Sequence, residues 1–263
     1  MSAAGTNGGD LVVSLLRHLD VTTAFGVVSV HNLPLVDAIH RDLRWVPTRG
    51  EAGAVGAADG YARASSNIGC AVTSTGTGAG NAAGALVEAL TAATPLLHFT
   101  GQIEREYLGL GRGVIHETRD QLAMLEAVSV WAATVGSAPQ ADLSQAARRA
   151  FGPTRGPVSL EWPIDGQFAT TTASPWDTRP ADDEATDLSA IDEVAKLISQ
   201  AERPLIWAGG GALGCSQLVS ELMDRTGAGL FTSNSGRGTL PETDQRVLGN
   251  FASSAAGAEL LEE

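Results

Sequence analysis

Between residues 11 and 163, segments whose apolar residues recur at helical spacing alternate with short strand-like runs. That alternation confines the chain to an α/β fold, a parallel sheet flanked by helices, because parallel strands need long crossovers that helices supply. The spacing predicts helices over 11–19 (behind Asp10 as N-cap), 33–41, from Glu51 onward, 79–93 and 141–151. It predicts strands over 23–28, 45–48, 68–73, 95–100, 129–135 and 157–161. The stretch 101–118 is long, glycine-bearing and aperiodic, which suits a mobile loop beside a site.

Residues 1–169 read as the first domain, and 170–187, rich in Thr, Pro, Asp and Ala, as a linker. Residues 188–263 open a second α/β unit: a helix over 188–200, a strand over 204–208, then the turn Gly209 to Gly214. They are few for an independent core, and the chain ends inside a helical pattern over 255–263. The expectation is therefore a truncated or split protein, with 188–263 the first part of a larger Rossmann-like domain.

Seventeen Lys and Arg against 30 Asp and Glu give a formal charge of −13, which opposes binding to nucleic acid or to an anionic membrane. No leader-like N-terminus and no long uninterrupted apolar run is visible, so a cytoplasmic location is expected. Cys70 and Cys215 have no metal-binding or redox-motif spacing, and the five histidines do not pair as ligands. Two buried free thiols and no metal site are the expectation.

Three features carry chemistry. The segment 49–64 places one acid, Glu51, at the head of a helix built mainly of Ala and Gly, with Gly53, Gly56 and Gly60 on a face without side chains. Such a face admits another backbone or a flat ligand. Glu51 reads either as a helix-dipole acid or as a carboxyl, poised between burial and the helix N-terminus, that shares a proton with a ligand. The turn Ser74-Thr75-Gly76-Thr77-Gly78-Ala79-Gly80-Asn81 has neither the Lys of a phosphate-binding loop nor the glycine spacing of a dinucleotide fold, so it reads as a structural turn or as the lining for a neutral heteroaromatic ring. Gly209-x-Gly211-x-x-Gly214 has the dinucleotide spacing but lacks the acid after the next strand, and a packing turn is the better account. His31-Asn32 and His116-Glu117 fall where a parallel sheet presents its carboxyl edge, although a lone loop histidine is more often merely solvated.

Taken together, Phe25-Gly26-Val27 with Asn32-Leu33-Pro34, Arg49-Gly50-Glu51-Ala52-Gly53-Ala54, Asp59-Gly60-Tyr61-Ala62-Arg63-Ala64, the turn 76–81, Thr100-Gly101-Gln102 and Gly156-Pro157-Val158 resemble the pyrimidine-binding domain of thiamine diphosphate enzymes of the acetolactate synthase and 2-oxo acid decarboxylase type. Arg203-Pro204-Leu205-Ile206, Ala208 to Gly211 and Ser235 to Glu242 resemble the start of that family's central domain. The resemblance implies that Glu51 hydrogen-bonds the aminopyrimidine N1′ and relays the proton whose loss activates the cofactor. It implies that Val28, Ser74, Thr75, Gly76 and Asn81 line the pyrimidine pocket, and that the bare helix face meets a second subunit in a homodimer or homotetramer. The implied activity is acetolactate synthase-like carboligation of a 2-oxo acid through a decarboxylated carbanion.

Two departures open alternatives. Val27-Val28-Ser29 replaces the family's x-Pro-Gly beside the cofactor, and Ile115-His116-Glu117 replaces Phe-Gln-Glu. His116 as a proton donor tilts the reading toward a decarboxylase or lyase. The Gly-Asp-Gly and Asn motif that would hold Mg2+ and the diphosphate is absent from these residues, so the chain alone is expected to be inactive. Whether the central domain takes FAD or ADP stays open. A regulatory or nucleotide-binding module that keeps the fold is the competing class, and Glu51 argues against it.

Overall fold

The computed structural model describes residues 6–172, 174–178, 188–250 and 254–262. Two compact units divide the chain at Asp183 and Glu184.

In the first unit six strands form one parallel sheet: β1 (Thr23–Gly26), β2 (Arg44–Pro47), β3 (Gly69–Thr73), β4 (Leu96–Gln102), β5 (Trp131–Thr134) and β6 (Pro157–Pro163), in the order β2-β1-β3-β4-β6-β5. β3, β4 and β6 are buried along their whole length, as strands covered on both faces must be. The helices are α1 (Gly8–His18), α2 (Leu33–Asp42), α3 (Glu51–Ser65), α4 (Thr77–Thr91), α5 (Gln121–Glu126), α6 (Pro139–Ala150) and α7 (Ile164–Phe168). Cys70 and Val72 point into a core shared with α1, α2 and α6, while Ala71 between them faces a second core with α3, α4 and α5.

α1 starts earlier than its apolar spacing suggests. Asn7 is the N-cap and Asp10 the third helical residue, and each side chain accepts from the other's backbone N–H at 3.0 Å. This reciprocal cap carries the helix over Gly8 and Gly9. Gly9 is required for packing, since a Cβ there would stand 2.1 Å from the Pro34 carbonyl oxygen on α2.

The stretch expected to be an aperiodic loop is shorter than 101–118. β4 continues through Gln102 and Arg105–Tyr107 make one 3-10 turn. The short α5 follows, capped by Asp120, whose carboxylate accepts from Ala123 N–H. Cys70 is buried and burial pushes its thiol up, but Cys215 is exposed, correcting the expectation of two buried thiols. Of the expected linker, residues 173 and 179–187 lie outside the described residues. Thr171 bridges to Thr6, and Trp176 donates to Ser14 Oγ on α1 at 3.0 Å.

The second unit carries the parallel strands β7 (Leu205–Ala208), β8 (Gly229–Thr232) and β9 (Val247–Gly249), with α8 (Leu188–Gln200), α9 (Ser216–Thr226) and α10 (Ala255–Glu262). The turn after β7 runs into a 3-10 helix, Gly210–Cys215, rather than directly into an α-helix. Residue 263 of the expected last helix lies outside the described residues. No described helix is long and apolar enough to cross a membrane.

Candidate active site

The strand order reverses between β1 and β3, and such a reversal opens a crevice at the carboxyl ends of the strands. Asn32 lies at that reversal. It is fully buried, and its Nδ2 donates to the carbonyls of Val27 and Thr73, both at 2.9 Å, while its Oδ1 accepts from Ser29 N–H. One carboxamide thus ties the turn after β1 to the end of β3. Val28, on that turn, is half exposed.

The turn after β3 is held from below. Thr75 is completely buried and donates its hydroxyl to Gln121 Oε1 at 3.0 Å, and Gly76 N–H donates to the same oxygen at 2.6 Å. Gln121 Nε2 donates in turn to the Gly101 carbonyl and to Glu161 Oε2. Gln102 Nε2 also donates to that carboxylate, and Thr134 donates to Glu161 Oε1. Glu161, on β6, is therefore a buried carboxylate whose partners in this network are all uncharged donors. The hydroxyl of Thr75 and the N–H of Gly76 are committed downward, so these two residues shape the turn rather than offer donors outward.

Glu51 begins α3 directly after the extended N-cap Gly50, and it is 9% exposed. Asn81, on the first turns of α4, donates Nδ2 to Glu51 Oε2 at 3.2 Å. The other oxygen, Oε1, lies against bare backbone: a Cβ at Gly78 would stand 2.9 Å from it and 2.7 Å from Ser74 Cβ. The structure thus brings Glu51, Ser74, Gly78 and Asn81 together. The expected bare face is also present and open, for a Cβ at Gly53, Gly56 or Gly60 would meet nothing within 4 Å. The opposite face, Ala54, Val55, Ala58 and Ala62, is buried and holds the helix.

His116 reaches the same edge from the loop after β4. Its backbone is left-handed (φ 65°), and its carbonyl oxygen lies so close to Gly76 that a Cβ there would come within 1.9 Å. Its Nδ1 lies 3.3 Å from Thr77 Oγ1. Glu117 shapes this loop, its carboxylate accepting from the N–H groups of Gly111, Gly113 and Val114. His98, by contrast, is a core histidine bound between Thr73 Oγ1 and Ser159 Oγ, and burial pushes its pKa down to about 3. Among the described residues no cluster of three or more His, Cys, Asp and Glu could hold a metal ion.

Two residues of this edge were not singled out as site residues by the sequence. Gln121 sits in an unrecognised six-residue helix, too short to give a period. The sequence places His31 at the sheet's carboxyl edge, but as a lone loop histidine it reads as solvated. In the fold it is 5% exposed, and its ring lies 6.3 Å from that of His116.

Comparison with known proteins gives a consistent result. The family model for the thiamine pyrophosphate enzyme N-terminal TPP binding domain matches residues 6–124, and that for the central domain matches residues 191–263. A protein of Pseudomonas aeruginosa named "Probable 2-ketoarginine decarboxylase" is 34% identical over 97% of this chain and 46% of its own length. The mitochondrial acetolactate synthase catalytic subunit of Saccharomyces cerevisiae is 29% identical over 94% of this chain and 38% of its own. An X-ray structure from Mycobacterium smegmatis, assigned as a thiamin diphosphate-dependent enzyme, superposes with a TM-score of 0.81 at 26% identity, covering 94% of this chain and 48% of that one. The chain spans less than half the length of these relatives.

Proposed function

Given that the chain belongs to the thiamine pyrophosphate enzyme family, we propose that it supplies the pyrimidine-activating part of an enzyme that decarboxylates a 2-oxo acid. The observation that carries this reading is the Glu51 carboxyl, oriented by Asn81 through one oxygen and bordered at the other by the bare Gly78. A flat ring carrying a hydrogen-bonding nitrogen fits that donor set and that cradle. Glu51 would hold the aminopyrimidine nitrogen and move its proton, with Ser74 and Asn81 beside it and Val28 on the facing turn. When bound, thiamine diphosphate supplies the electron sink for loss of carbon dioxide. The diphosphate and its Mg2+ are proposed to be held by protein outside these 263 residues.

His116 favours decarboxylation over carboligation, because it places an imidazole at the edge where the substrate would react. The 34% identical relative named as a decarboxylase supports the same choice. Carboligation remains the second reading, favoured by the similarity to acetolactate synthases of yeast and of Lactococcus lactis. We further propose that the open glycine face of α3 meets a second copy of the chain, as in a homodimer. The test is product analysis with the protein carrying this chain, thiamine diphosphate, Mg2+ and a panel of 2-oxo acids including pyruvate and 2-ketoarginine. Carbon dioxide with an aldehyde supports decarboxylation, an acetohydroxy acid supports carboligation, and no cofactor-dependent product refutes both.

A further inference from the structure

The helix that carries Asn81, α4, begins at Gly76, an N-cap with no side chain to cap it. Gln121 supplies the hold from another helix. Its Oε1 accepts from Gly76 N–H at 2.6 Å and from the Thr75 hydroxyl at 3.0 Å, and its Nε2 donates to the Gly101 carbonyl at 3.1 Å and to Glu161 Oε2 at 3.0 Å. The amide has only one orientation here, because a backbone N–H only donates and a carbonyl only accepts. One side chain thus ties the head of α4 to β4 and β6.

At the far end of this tie, Glu161 is 4% exposed, and its partners in the network are three neutral donors, Gln121, Gln102 and Thr134. A buried carboxylate so held costs stability that a neutral side chain would not. What it provides is a firm anchor, since hydrogen bonds to an ionised acceptor are about twice as strong as neutral ones. The head of α4 has little room to move. A Cβ at Gly76 would come within 1.9 Å of the His116 carbonyl oxygen, and one at Gly78 would press on both Ser74 and Glu51 Oε1. A small shift there moves the backbone facing Oε1 together with the Asn81 amide that holds Oε2.

Resting on the reading of Glu51 as the group that holds the aminopyrimidine, we propose that Gln121 and Glu161 are positioning residues for the cofactor. They act through α4: Gln121 fixes its first turn, Glu161 anchors Gln121, and from that turn Gly78 and Asn81 set the Glu51 carboxyl.

The test uses the protein carrying this chain, 15N-labelled at its side-chain amides, with Gln121→Glu and the pair Gln121→Glu/Glu161→Gln. The single variant keeps an acceptor for Gly76 but sets a carboxylate against Glu161 and the Gly101 carbonyl. The pair restores a donor facing that carboxylate. In the folded single variant the Asn81 amide signal is expected to move before any cofactor is added, and thiamine diphosphate affinity by calorimetry to fall about tenfold or more. The pair is expected to recover part of both. A wild-type Asn81 signal and affinity in the single variant, even with a lower urea midpoint, overturn the proposal, as does a pair no better than the single change. Should the single variant not fold, the wild-type protein titrated with thiamine diphosphate decides. A Gln121 amide that shifts with Asn81, while that of Gln140 on α6 stays still, supports the proposal, and a silent Gln121 beside a responding Asn81 overturns it alone. No binding by the wild-type protein removes the cofactor reading and this inference with it.

Discussion

Asn81 Nδ2 donates to Glu51 Oε2 across 3.2 Å, joining the first turns of α3 and α4 by one side-chain hydrogen bond. The bond fixes the carboxyl plane and leaves Oε1 facing Gly78. This relationship gives the acid at the head of the helix a set orientation.

Gly78→Ala tests the cradle. The new methyl would press on both Glu51 Oε1 and Ser74, and overpacking of this kind costs about 1–3 kcal/mol. Thiamine diphosphate affinity, measured by calorimetry, is expected to fall by more than the stability loss alone explains, because the carboxyl is displaced.

Gly53→Ala should behave in the opposite way toward stability. Nothing lies within 4 Å of its Cβ position, so the substitution is expected to stabilise the helix by about 1 kcal/mol. If the bare face meets a second subunit, sedimentation equilibrium should show weakened self-association in the same variant.

Gln121→Ala would leave Gly76 N–H, the Gly101 carbonyl and the Glu161 carboxylate each short of a partner. A loss of about 2–4 kcal/mol is expected in urea denaturation, since each buried unsatisfied group costs about 1–3 kcal/mol. Hydrogen exchange at Gly76 N–H should rise with it.

His98 sets an acid limb on stability. Its native pKa of about 3 lies below the ordinary value of 6.5, so between those pH values the unfolded chain binds the extra proton. Stability from this group is complete above pH 6.5 and is lost as pH falls toward 3, with a slope of up to about 1.4 kcal/mol per pH unit. Urea midpoints of His98→Gln against pH should lack that part of the slope. Parallel curves for the two proteins would contradict it.

Much of this fold is legible in the sequence because a parallel sheet writes itself as alternating periods, and all six strands of the first unit coincide with apolar runs. What escapes is what local period cannot encode. The reciprocal cap of Asn7 and Asp10 overrides the weak propensity of Gly8 and Gly9, and α5 is too short to show a stripe. Glu51 was legible because an acid at the head of a helix built mainly of Ala and Gly is unusual composition. Gln121 was not, and His31 only as a residue of the carboxyl edge, since their surroundings lie in tertiary neighbours: Thr75 and Glu161 for one, Gly101 and Gln167 for the other.

The most direct test of the central claim is hydrogen–deuterium exchange at C2 of thiamine diphosphate bound to the protein carrying this chain, comparing wild type with Glu51→Gln. The variant keeps an acceptor for Asn81 but cannot relay a proton. If Glu51 activates the cofactor, exchange slows by about 10²–10⁴-fold, the usual contribution of a positioned proton-transfer group. Exchange at the wild-type rate, with cofactor still bound, would show that Glu51 is only a helix-dipole acid.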